Sequence, residues 1–153
     1  MGNLSQLMEL FTLVSGRMIN KWGKGQEVFP DGSYYKGDIV NGEYEGSAEI
    51  LYPNGEKYIG KYRDKSHNGK GKIIFSDGKS YEGTFRNSVI AGSGVYSFDT
   101  ENNKVYVGEF QNGAMHGRGT IQFKTGETIE GTWKEGKKHG SFVYKSPNQD
   151  PKY

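Results

Sequence analysis

Polar and apolar residues alternate in short bursts along most of this chain. In Ser80-Tyr81-Glu82-Gly83-Thr84-Phe85, Tyr81, Gly83 and Phe85 fall on one side and Ser80, Glu82 and Thr84 on the other. That period of two marks a strand with one buried face. Asp31-Gly32, Asn54-Gly55 and Asp77-Gly78 separate the bursts. These residue types accept positive φ and predict tight two-residue hairpin turns. A looser glycine-containing turn is expected between one hairpin and the next. The first 21 residues differ. Leu4, Leu7, Met8, Phe11, Val14 and Met18 recur mostly at steps of three and four, which predicts an amphipathic helix that Gly16 can end.

The bursts recur in register. Tyr35, Tyr58, Tyr81 and Tyr106 each open a Tyr-x-Gly triplet at steps of 23, 23 and 25 residues, and Ile129-Glu130-Gly131 extends the column. Gly23, Gly46, Gly69, Gly92, Gly117 and Gly140 form a second column; Gly25, Gly71, Gly94 and Gly119 stand two positions after four of them, with Ala48 in the same place. Aromatic columns run Phe29, Tyr52, Phe75, Phe98, Phe123 and, with one aliphatic member, Ile39, Tyr62, Phe85, Phe110, Trp133. A fixed step of this size signals a repeat architecture. Glycine inside a strand weakens it unless something packs close to the backbone. The strand glycines therefore predict dents that receive rings from a neighbouring repeat. Residues 99–104 hold a two-residue insertion, read as a protruding hairpin.

Tyr-x-Gly-x-aromatic, then Gly-x-Gly, an aromatic and Asp/Asn-Gly at a 23-residue step resembles the MORN repeat, over residues 22–145. The resemblance implies an all-β fold, an elongated, twisted, single-layer antiparallel sheet of consecutive hairpins. The chain then divides into an N-terminal helix or extension (1–21), an array of five to six repeats (22–145) and a C-terminal tail (146–153). The helix is expected to cover the first sheet edge or the aromatic face, or else to dock on a partner or a membrane surface.

Composition narrows the chemistry. Twenty Lys and Arg stand against 18 Asp and Glu, a net charge of +2. That is too balanced to single out nucleic acid. With no cysteine, disulfide frameworks, thiol catalysis and cysteine zinc sites are excluded. With 24 Gly, 11 Tyr and 8 Phe, aromatic rings must do most of the burying. No apolar stretch reaches the roughly 18 residues of a membrane span. His116 and His139 share a column and His67 lies one position off it. All three read as polar turn residues, so no metal and no cofactor is expected. No nucleophile motif or paired carboxylate appears, and the chain reads as a non-enzyme.

What remains is binding. An open sheet with an aromatic and glycine face offers a groove for a helical or extended segment of a partner protein, or for self-association. Candidate contacts are Tyr35, Tyr58, Tyr81, Phe85, Tyr106, Phe110 and Trp133, although the same side chains can equally form the core. The alternative is a peripheral module for acidic phospholipid, with Lys134, Lys137 and Lys138 as candidates. The resemblance implies an intracellular, cytoplasmic scaffold in a ciliary, cytoskeletal or membrane-associated assembly.

Overall fold

The computed structural model of the chain describes residues 11–14, 17–20, 22–99, 101 and 103–147, with side chains from Gly23 onward. Strands β1 (Phe11–Val14) and β2 (Arg17–Asn20) pair as a small antiparallel sheet of their own. Eleven more strands form one open antiparallel sheet: β3 (Trp22–Val28), β4 (Tyr34–Val40), β5 (Glu43–Leu51), β6 (Lys57–Arg63), β7 (Ser66–Ile74), β8 (Ser80–Arg86), β9 (Val89–Ser97), β10 (Val105–Gln111), β11 (Ala114–Gln122), β12 (Thr128–Lys134) and β13 (Lys137–Lys145). Each pairs with the next in chain order. Ten inter-strand steps make the array about 48 Å long.

The helix expected near the N-terminus is not confirmed. Phe11–Val14 and Arg17–Asn20 are strands; residues 1–10, which carry Leu4, Leu7 and Met8, lie outside the described residues. Aromatic and β-branched Phe11, Thr12, Val14 and Ile19 favour pleated backbone over helix, and the step-of-three spacing could not register that preference.

The two turn types are the reverse of expectation. The Asp/Asn-Gly turns close over three residues: Phe29 N–H donates to Ser33 O at 2.9 Å and Gly32 N–H to Phe29 O at 3.0 Å, with parallel pairs at Tyr52, Phe75 and Phe123. Only the glycine of each has positive φ, as at Gly32 (85°). Pro30 and Pro53 open two of these turns, and proline's fixed φ suits the first position of a type I turn followed by a left-handed glycine. The Asp or Asn side chain caps the turn, as when Asp31 Oδ1 accepts from Ser33 N–H at 2.9 Å. The connections expected to be loose are the tight ones. Asn41-Gly42, Asp64-Lys65, Asn87-Ser88, Asn112-Gly113 and Glu135-Gly136 have positive φ at both residues, the two-residue type I′ geometry.

Register slips once in each pair that follows a Tyr-x-Gly column strand, for example between Gly60 and Tyr62 on β6, where β7 runs from Gly71 to His67. The following strand carries two extra residues there, and the glycine within the bulge takes positive φ: Gly46, Gly69, Gly92, Gly117 and Gly140. A left-handed bulge position is easy only for glycine, which accounts for that column.

Candidate binding face

The second glycine column has a different cause. Across the sheet, Gly25 pairs Gly37, Gly37 pairs Ala48, Ala48 pairs Gly60, and so on through Gly71, Gly83, Gly94, Gly108 and Gly119 to Gly131. Phe142 ends the line. This spine crosses all the strands at one level. On one face the tyrosine rings lie flat along it. A Cβ added at Gly71 would fall 2.5 Å from Tyr58 Oη, and one at Gly94 2.5 Å from Tyr81 Oη. The rings come from the adjacent strand, closer than the neighbouring-repeat packing expected from the sequence. Each hydroxyl donates to a carbonyl three residues on, at the point of register slip: Tyr35 to Asp38 O (2.6 Å), Tyr58 to Lys61 O (2.6 Å), Tyr81 to Thr84 O (3.1 Å) and Tyr106 to Glu109 O (3.0 Å). Burial pushes the Tyr35, Tyr58 and Tyr106 hydroxyls up to about 12, so they stay protonated donors.

This packing decides the fate of the aromatic candidates. Tyr35, Tyr58, Tyr81, Phe85, Tyr106, Phe110 and Trp133 are all buried, none more than 6% exposed. They stack edge to face along the array, Tyr81 on Phe85 and Phe110, Tyr106 on Phe110 and Trp133. Trp133 Nε1 donates to Gly119 O at 3.3 Å. These seven side chains are the core. Their ring faces and edges are spent on one another.

His67 joins that core, against the expectation of a turn residue. It is 6% exposed and stacks on Tyr58 with ring centroids 3.7 Å apart. Its Nε2 meets the Tyr52 hydroxyl at 2.5 Å, and its Nδ1 has no hydrogen-bond partner among the described residues. Burial lowers its pKa to about 4. The signal was its one-position offset from His116 and His139, since a step of one turns a side chain to the other face of a strand. His67 pairs Tyr62 on the core side, while Tyr44, Ile90 and Met115 take the equivalent place in other repeats.

The three lysine candidates do not form one patch. Lys134 pairs Lys137 across the last type I′ turn, but Lys138 pairs Trp133 on the core side, where its Nζ stands 5.1 Å from the Phe142 ring centre. Lys138 thus lies over the half-buried Phe142 ring, on the face opposite to Lys134 and Lys137.

The opposite face is the open one. There the spine shows bare backbone, flanked by the side chains one residue either side. Ile59, Val95, Val107 and Val143 stand in one such row, 43%, 40%, 38% and 55% exposed, separated by Lys72, Glu82, Thr120 and Glu130. A groove of about 820 Å³ runs from Lys24 and Gly25 over Gly37 and Ala48 to Ile59 and Gly60. A second, of about 680 Å³, continues from Ile59 and Gly60 to Gly94 and Val95. The sequence pattern predicted the faces of the strand columns, with His67 an exception, and the aromatic candidates named from it lie on the buried face.

A comparison with curated proteins finds no match. The family model of the MORN repeat matches six consecutive segments, residues 19–34, 35–57, 58–80, 81–102, 106–128 and 130–150. Such repeats generally serve in protein or membrane binding. With the family model matching over most of its length, and a register bulge recurring in each of its five hairpins from β4–β5 to β12–β13, the chain belongs to the MORN-repeat family.

Proposed function

We propose that this chain is a non-catalytic protein-binding scaffold, a structural subunit of a larger ciliary, cytoskeletal or membrane-associated assembly. It engages a helical or extended partner segment across its open face. The observation that supports this reading is the row of exposed Ile59, Val95, Val107 and Val143 beside a groove that crosses successive strands. Exposed apolar side chains gathered along a groove mark a contact surface rather than a solvated one. The flanking glycines let a partner backbone approach the sheet closely.

The test is size fractionation of a native extract containing the full chain, with cross-linking and mass spectrometry of its fraction. The expected result is a large complex cross-linked through the open face. A Val95→Gln/Val107→Gln variant should run smaller, with circular dichroism and melting temperature close to the parent's. A complex that survives the double variant, or a parent that runs as a free monomer, would sink the reading. Flotation with acidic vesicles, reversed by salt, would favour the lipid-tether alternative instead.

A further inference from the structure

The charges beside the glycine spine are sorted along the array, and this says what kind of segment the groove fits. In the two rows flanking the spine on β3–β8, five lysines project from the open face, Lys24, Lys36, Lys61, Lys70 and Lys72, against three carboxylates, Asp38, Glu49 and Glu82. Each carboxylate is already bridged. Lys24 holds Asp38 at 2.5 Å and Lys72 holds Glu82 at 3.6 Å, while Lys57 of the next row holds Glu49 at 2.8 Å. Lys61 donates to Ser47 Oγ at 3.0 Å. Lys36 and Lys61 act on Glu49 and Asp38 only as further charges beside the bridging Lys57 and Lys24, and among the described residues neither they nor Lys70 form a direct ion pair. On β9–β13 the same two rows hold Glu109, Arg118 and Glu130, with Glu109 accepting from the Arg118 N–H at 2.8 Å and Glu130 3.8 Å from the guanidinium. There is no surplus of cations there. Val95, Val107 and Val143 stand there instead.

We propose that the open groove takes a protein segment that is acidic over β3–β8 and apolar over β9–β10, lying across the strands. This rests on the reading that the open face binds protein. Unpaired lysines with a concave, low-dielectric floor attract carboxylates and orient them before contact. The valines then supply apolar anchors at one end, so charge sets the direction of the segment as well as its identity. From β3 to β10 is about 34 Å, the reach of about ten extended residues.

The experiment is selection from a displayed library of random twelve-residue peptides on the full chain, followed by anisotropy titration of individual selected peptides. The expected outcome is enrichment of Asp and Glu toward one end and apolar residues toward the other. Affinity should fall at least tenfold in a Lys36→Glu/Lys61→Glu/Lys70→Glu variant, and fall steeply with salt. Circular dichroism confirms that each variant is folded. If the selected peptides are neutral or basic and lose affinity only in Val95→Gln/Val107→Gln, the charge proposal is overturned while the open face stands as the site. If no peptide is enriched, or neither variant affects binding, the open-face reading falls with it. Vesicles of phosphatidylcholine with a fifth phosphatidylserine serve as the remaining probe: binding that the triple lysine variant abolishes, with no peptide enriched, assigns the lysines to lipid and overturns the proposal.

Discussion

One line of glycines serves two unlike faces. On the core side it is the floor on which Tyr58, Tyr81 and Tyr106 lie, fully buried. On the other side it is the floor of a groove lined by exposed Ile59 and Val95, with Val107 next in the same row. The strand positions differ by one residue and the backbone is shared. A single-layer sheet can be stable because one face closes on itself with flat rings, which leaves the other free for a partner. The comparison predicts that substitutions pointing to the closed face are paid in folding, and those on the open face in association.

The largest effect is expected from adding a side chain to the spine. Gly94 has ordinary extended φ, so the obstacle is space alone: its Cβ would meet Tyr81 Oη at 2.5 Å and the ring carbon Cζ at 2.6 Å. Tyr81 is enclosed by Phe85 and Phe110 and cannot step aside. Ala48 shows that a methyl fits at one place on the spine, the position held by Gly71 and Gly94 in later hairpins. Gly94→Val goes two carbons further and should cost about 3–5 kcal/mol, the scale of losing a buried ring. Urea unfolding measures it. A loss under about 1 kcal/mol would mean that the ring is not clamped.

Next comes pH. Among the described residues, His67 is the one buried group on the closed face whose charge changes near neutrality in the unfolded chain. Tyr52, Tyr58, Tyr62 and Phe85 face it, none of them charged at that pH. Its folded pKa, about 4, lies below the ordinary 6.5 because burial disfavours the cation. The unfolded chain therefore takes up a proton first as pH falls, and stability declines from about pH 6.5 down to about pH 4. Between pH 7 and pH 5 the loss should be about 2 kcal/mol. Asp31, Asp38, Glu49 and Glu127 have lowered values and weaken the fold only once pH nears 4, so the upper window belongs to His67. Melting curves across that window should slope in the parent and flatten in His67→Phe. Equal slopes would place the imidazole in water.

Much of this was legible in the chain. The 23-residue step, the alternation in Ser80–Phe85 and the spine glycines were enough for the sheet, its strand order and the faces of the repeat columns, though not for His67. Three things were not. Asp31-Gly32 has the composition of a two-residue turn, and only the proline before it hints at three. Phe11–Val14 satisfies a helical stripe and a strand equally, and side-chain spacing cannot choose between them. Whether the aromatic columns are core or contact surface could not be chosen either, because large aromatic residues signal both. What separates the two is whether a glycine lies under the ring, and that follows only from the register of adjacent strands.

The finest test of the two faces uses the same chemical change on each. Tyr58 and Tyr34 both donate a hydroxyl hydrogen bond, Tyr58 to Lys61 O at 2.6 Å on the closed face and Tyr34 to Glu49 Oε1 at 2.5 Å on the open one. Removing the Tyr58 hydroxyl leaves the Lys61 carbonyl without that donor where the ladder to β7 slips, under a ring that water does not reach. Tyr58→Phe should therefore cost about 1 kcal/mol or slightly more. The Tyr34 hydroxyl competes with solvent, and Glu49 keeps Lys57 at 2.8 Å when it is gone. Tyr34→Phe should change stability by only a few tenths of a kcal/mol. Chemical denaturation of the two variants in parallel reads the difference directly. Equal losses would mean that water reaches the tyrosine column, and the face assigned to the core would then be as open as the groove.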